Sequence, residues 1–261
     1  MTYTKNFFIL LILFFSASSI SFGDNVLEEK SFVNLKNLYL DDLKFIQNDN
    51  IKLVSLNIVD EAHEVPVVVK LPSNLKNAKQ IVVLIDENPI QLASKVYLYD
   101  NVKSIGLNIR LEQDSLIRAA VLDQKNVWNV NSRKIIVNSP GGCSLPACNP
   151  EKEICEKRET GIIKLKKYKR TSGSWRYKIS INHPMDTGLV TDSKTGKLIP
   201  EYFINKVLFK SNKGTKLAEA ETYGALSANP IIIIDFYQDS KLTNIIANDT
   251  KGNTFRLDKN L

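Results

Sequence analysis

The segment "SIGLNIRL" (residues 104–111) carries Ile105, Leu107, Ile109 and Leu111 at every second position. A period of two puts all four on one side of an extended chain, whereas a helix would scatter them around its circumference. The segment is therefore a strand with one face buried. The same period recurs: Val54, Leu56 and Ile58 in "VSLNI", Val65, Val67, Val69 and Leu71 in "VPVVVKL", and Trp175, Tyr177, Ile179 and Ile181 in "WRYKISI". The strand-like runs "QIVVLID", "SKVYLYD", "SLIRAAVL" and "RKIIV" lie among turn residues at 72–74, 87–89 and 100–101. "EYFINKVLF", "NPIIIIDFY", "LTNIIAND" and "NTFRL" continue the pattern to the end of the chain. Short strands separated by turn residues predict β-sandwich architecture. Residues 26–46 differ. There Leu35, Leu38, Leu43 and Ile46 fall near helical spacing, which predicts one or two amphipathic helices packing on a sheet.

Two strand-rich regions, residues 24–143 and 160–261, flank a Pro-, Gly- and Ser-containing linker at 144–159. Residues 1–23 combine one Lys, an apolar run too short for a permanent membrane span, and small residues before a cleavage point after Gly23. This pattern predicts a signal peptide, an exported mature protein, and no membrane association after cleavage. The formal charge of +7 comes from 35 basic residues spread among 28 acidic ones. That distribution favours an acidic partner surface, and no nucleic-acid motif accompanies it. No Ser-His-Asp set, paired carboxylates or phosphate loop stands out, so the sequence does not read as an enzyme.

All three cysteines fall in "SPGGCSLPACNPEKEIC". Gly141 and Gly142 free the backbone before Cys143, and Pro140 and Pro146 bound the segment. One reading makes Cys143 an exposed thiol that ionises and reacts. The other makes the glycines a turn and Cys143 half of a structural disulfide. Cys148 and Cys155 follow at C-x4-C and C-x6-C spacing, unlike zinc pairs, and the two histidines, His63 and His183, are distant in sequence. No metal site is expected. A Cys148–Cys155 disulfide would leave Cys143 free, and a Cys143–Cys148 pair would silence it. His183 and Met185 are weak evidence for copper, and a turn at Pro184 and Gly188 is the preferred reading. Lys164, Lys166, Lys167, Lys169, Arg170, Arg176 and Lys178 form a run without acids. It reads either as a solvated strand face or as a docking patch for a partner, carried chiefly by Lys164, Lys166, Lys167 and Lys169.

The run "VPVVVKLP…IDENP…NIRLEQDSLIRAAVL…RKIIVNSPGGC" resembles SoxY, the carrier subunit of the periplasmic sulfur-oxidising system. The run "INHPMDTGLVTDSKTGKLIPEYFINKV…LSANPIIIIDFY…NDTKGN" resembles its partner SoxZ. The whole resembles the fused quinoprotein dehydrogenase-associated SoxYZ-like carriers. The resemblance implies a mainly β protein of two immunoglobulin-like β-sandwiches, with N-terminal helices on the first. It implies that Cys143 is the covalent attachment point of a sulfur cargo, on a flexible arm of Gly141, Gly142 and Ser144. It implies no cofactor. Implied partners are periplasmic sulfur-oxidation enzymes, or quinoprotein dehydrogenase and cytochrome c components. The chain departs from the SoxY pattern where Ser144 replaces a glycine and the polypeptide runs on into a second domain. Three functions follow: a non-catalytic carrier, a redox or metal-handling accessory of an exported PQQ-dependent quinoprotein dehydrogenase, or an interaction sandwich whose cysteines are only structural.

Overall fold

The computed structural model describes residues 27–146 and 159–259. The expected signal peptide, Cys148 and Cys155 lie outside the described residues. In the first half, α1 (Lys30–Tyr39) precedes β1 (Lys44–Gln47), β2 (Lys52–Val54), β3 (Ile58–Val59), β4 (Val65–Lys70), β5 (Gln80–Ile85), β6 (Leu92–Leu98), β7 (Val102–Ile109), β8 (Ser115–Leu122) and β9 (Val127–Val137). The second half contributes β10 (Ile163–Lys169), β11 (Trp175–Ile181), β12 (Ile204–Ser211), β13 (Lys216–Thr222), β14 (Ile231–Phe236), β15 (Leu242–Asp249) and β16 (Thr254–Asp258).

These strands build two sheets, and both sheets run through both halves. The larger has the order β1-β9-β8-β5-β6-β13-β12-β15-β16, with β3 also paired to β9. The smaller has the order β10-β11-β14-β7-β4-β2. The halves therefore meet by strand pairing. β6 pairs antiparallel with β13, Val96 opposite Ala220. β7 pairs antiparallel with β14, Leu107 opposite Ile232 and Ile105 opposite Ile234. Gly106 lies opposite Ile233 in this second seam, where a Cβ would come within 3.2 Å of the Ile233 Cβ.

Burial explains the two kinds of apolar run. β4 alternates because one face meets the core and the other meets solvent. β5 is buried at every position because it is covered on both faces. Ile81, Val83 and Ile85 point into the sandwich, and Val82 and Leu84 pack beneath Phe32 and Leu35 of α1 with Trp128 and Val130. The helix is also tied down by Arg118, whose buried guanidinium grips Asp86 with two bonds of 2.6 and 2.7 Å and reaches Glu29.

Two expectations are corrected. The region of residues 26–46 gives one helix, and Ile46 falls in β1, which pairs parallel with β9. Leu38, placed on the packing face by spacing, is 68% exposed, while Phe32 and Leu35 are buried against the sheet and Tyr39 packs at their side. "VSLNI" is not one strand: β2 ends at Val54 and β3 begins at Ile58. Its Val54, Leu56 and Ile58 face outward, while Leu53 and Val59 are buried. Alternation identified the extended backbone there but did not say which face was the inner one.

Separating the halves uncovers β13 and β14 as long apolar edges, which unpaired strands resolve by association. Residues 160–261 expressed alone should self-associate or rebind the first half, as measured by size-exclusion chromatography with light scattering. A well-behaved monomer indifferent to the first half would show that the seam contributes little.

Candidate functional site

Beyond β9 the chain folds back along the segment that follows β7. The Gly141 N–H donates to Glu112 O at 2.8 Å, and the Gly142 N–H donates to Leu111 O at 2.9 Å. Leu111 is itself held by its N–H to Ala62 O. The glycines make this approach possible. A Cβ on Gly142 would sit 2.3 Å from Ala62 O and 2.6 Å from Leu111 O, so no other residue fits without moving backbone. Gly141 adopts φ +100°, a left-handed conformation that disfavours side chains. His63 Nδ1 donates to Gly142 O at 3.1 Å. The Glu112 carboxylate then gathers the next two residues. It accepts the N–H groups of Cys143 and Ser144, each at 3.1 Å, and the Ser144 hydroxyl at 2.5 Å.

Cys143 is a free thiol with no exposed surface. Asn88 lies beside it, with Nδ2 3.5 Å from Sγ. Asn88 is fixed in turn, since Nδ2 also donates to Arg110 O and Oδ1 accepts the Glu112 N–H, both at 2.8 Å. Burial pushes the Cys143 thiol up to about 12, and the nearby Glu112 charge adds to this. The Arg110 charge and the Asn88 hydrogen bond pull the other way and lose. At neutral pH the docked sulfur is thus a thiol and not the nucleophilic thiolate.

The second half closes the site through the loop after β11. The Thr187 hydroxyl donates to Cys143 O at 2.8 Å. Arg110 Nη2 donates to Pro184 O at 3.2 Å, and the Arg110 N–H donates to Ala225 O at 2.7 Å. The loop is rigidly built. Met185 has φ +55°; its N–H donates to His183 Nδ1, and its sulfur accepts the Ile204 N–H. His183 is buried, and desolvation lowers its pKa despite Asp249. Its proton therefore sits on Nε2, 3.6 Å from Asp249 Oδ2. His183 and Met185 are both engaged in bonds that hold this loop. Among the described residues no group of three His, Cys, Asp or Glu side chains is arranged to hold a metal.

Comparison with known families assigns both halves. Residues 36–143 match the family model of the sulfur oxidation protein SoxY, and residues 163–259 match that of the sulphur oxidation protein SoxZ. The chain joins a SoxY domain to a SoxZ domain. Among solved structures, it is similar to the sulfur carrier protein SoxY from Chlorobium limicola f thiosulfatophilum at 15% identity. That alignment covers 41% of this chain and 94% of the other, with a TM-score of 0.36. No curated protein matches the chain.

The site lies where the SoxZ loop meets the end of the SoxY domain, whose family match stops at Cys143 itself. The arrangement corrects the expectation of an exposed, ionised Cys143, since the docked thiol is buried and protonated. Gly141, Gly142 and Ser144 hold the arm in place here, since the two glycines permit close contact and the Ser144 hydroxyl adds a bond to Glu112. Asn88, Arg110, Glu112 and Thr187 were not singled out by sequence. Asn88 read as a turn residue, and Arg110 and Glu112 sat at polar positions around a clean strand signal. Their common property, convergence on the Cys143 segment, exists only after folding. The basic run spans β10, the edge of the smaller sheet, and continues into β11, where Arg176 pairs with Asp235 at 2.7 Å. Lys164, Lys166 and Lys169 are exposed. Lys167 is engaged, pairing with Asp239 at 2.9 Å and lying over Trp175.

The docked thiol should react slowly. About three units between an ordinary thiol and about 12 correspond to roughly a thousandfold less thiolate at pH 8. Alkylation of Cys143 by iodoacetamide at pH 8, followed by peptide mass spectrometry, should be far slower in the folded chain than in urea. Glu112→Gln, which weakens the hold on the arm and removes a charge, should speed it about tenfold, the effect of a change near 1.4 kcal/mol. Equal rates in native and Glu112→Gln proteins would mean that Glu112 does not restrain the arm.

Proposed function

We propose that this chain is an exported, periplasmic carrier of sulfur oxidation, with Cys143 as the covalent handle for a sulfur-containing group. Membership of SoxY and SoxZ supplies the process. The observation that carries the residue assignment is a free thiol on a glycine-bearing arm that is hydrogen-bonded to both halves. Such an arm alternates between two positions. Docked, Cys143 is shielded and neutral. Released, its thiol returns to the ordinary range, forms thiolate, accepts a cargo, and presents it to partner enzymes. Among the described residues no helix is long and apolar enough to cross a membrane.

A carrier isolated from its native compartment should hold something on its working sulfur. Intact-mass spectrometry before and after mild reduction, on the native chain and on Cys143→Ser, tests this. The expected result is a reducible mass on the native chain that is missing from Cys143→Ser. A reducible mass that persists unchanged in Cys143→Ser would move the chemistry to another residue.

The exposed lysines of β10 suit docking of an acidic partner surface, an attraction that salt screens. The competing role is protection of a sheet edge, which lysines also provide. Replacing Lys164, Lys166 and Lys169 by Gln, while leaving Lys167 in its ion pair, should weaken partner binding and flatten its salt dependence in surface plasmon resonance. Unchanged affinity and salt slope would assign the lysines to edge protection alone.

A further inference from the structure

Arg110 is the unexplained group at the Cys143 site. It is 4% exposed. Among the described residues its guanidinium makes one hydrogen bond, from Nη2 to the neutral acceptor Pro184 O, and Nε is buried with no partner. Among the described residues no carboxylate lies within ion-pairing distance of it. Asp186 and Cys143 are the groups whose charge would act on it, and burial nonetheless lowers its pKa. Asp186 is a weak counter-charge, because burial raises its own pKa toward the neutral form. The Glu112 carboxylate is committed to the arm. A buried cation with an idle donor is costly unless some state of the protein supplies an anion. The protonated Cys143 thiol does not supply it.

We infer that Arg110, assisted by Asn88, is a binding site for the anionic, oxygen-bearing end of a group carried on Cys143, such as a sulfonate-terminated adduct. The inference rests on the carrier reading above. Guanidinium donors suit sulfur oxyanions as they suit phosphate, with several N–H groups for several oxygens. The two residues that would hold the anion are firmly mounted. Arg110 directly follows β7 and is bonded to Ala225, and Asn88 is bonded to the Arg110–Glu112 backbone. The arm is the part that yields. Cys143 has no free surface, so an added group displaces the Ser144–Leu145 turn, whose Leu145 is already 53% exposed. A loaded arm then docks through the charge of its cargo, and an arm carrying a neutral group does not.

The test compares two adducts on a chain with Cys148→Ser and Cys155→Ser, so that Cys143 is the sole thiol. Tetrathionate reacts with the thiolate at an inner sulfur. The central S–S bond breaks, thiosulfate leaves with its electron pair, and Cys143 is left bearing –S–SO3−. Methyl methanethiosulfonate gives a neutral methyl disulfide and releases methanesulfinate. Mass spectrometry first establishes loading. The readout is the rate of release by dithiothreitol, each adduct normalised to the same adduct on the peptide SPGGCS. The sulfonate adduct should be protected at least tenfold and the methyl adduct should not. Arg110→Met should abolish the difference, and Arg110→Lys should keep part of it. Equal protection of both adducts in the native-sequence arm overturns the inference without needing any Arg110 variant. So does an undiminished difference in an Arg110→Met protein that circular dichroism shows to be folded. Failure of Cys143 to load at all, even in urea-relaxed protein returned to buffer, overturns the carrier reading and the inference with it.

Discussion

The antiparallel pairing of β7 with β14 is the constraint on which the rest of the molecule depends. It makes one sheet out of strands from two domains, and it aligns the chain beyond β7 with the SoxZ half. The bond from the Arg110 N–H to Ala225 O continues that alignment past the last paired residue. Arg110, Leu111 and Glu112 are thereby held as the platform on which the arm rests. The same seam brings Pro184 and Thr187 over the arm from the other side. A one-residue slip would turn Ile105 and Leu107 out of the core and remove the platform together with them.

Much of this fold was legible because strand alternation is a local property. β4, β7, β8 and β11 were readable from period-two or continuous apolar runs, and β5 was readable as a strand. The reason β5 lacks alternation lies in α1, an element far away in sequence that covers its second face. The outward set of "VSLNI" shows the converse limit. Its pattern fixed the backbone but not the direction of burial, which the neighbouring strands decide. β13 carried too weak a pattern to be named, because two acids interrupt "KLAEAET" and Glu219 is satisfied there by Lys206 and Lys216.

The site was legible in its sulfur and misread in its surroundings. Paired glycines before a cysteine signal backbone freedom, but freedom serves two ends: motion, and close approach. At Gly142 the carbonyls of Ala62 and Leu111 claim the space that a side chain would need. Those carbonyls belong to segments about eighty and thirty residues upstream, as their numbers show, and no local pattern reports them. His183 and Met185 lie in the irregular connection between β11 and β12, which bends at Gly188. What sequence could not show is that this connection is anchored so that Thr187 reaches the Cys143 carbonyl.

The position of β9 has a consequence for reach. Ordered pairing ends at Val137, six residues before and including the sulfur-bearing position. A fully extended chain gains at most about 3.3–3.6 Å per residue, so the leash on this side is roughly 20 Å long. On the other side the next strand, β10, begins at Ile163. Under the carrier reading proposed above, the range of the sulfur is a cap of roughly that radius centred on the end of β9. On that reading, a surface that receives the sulfur must come within that distance of the end of β9.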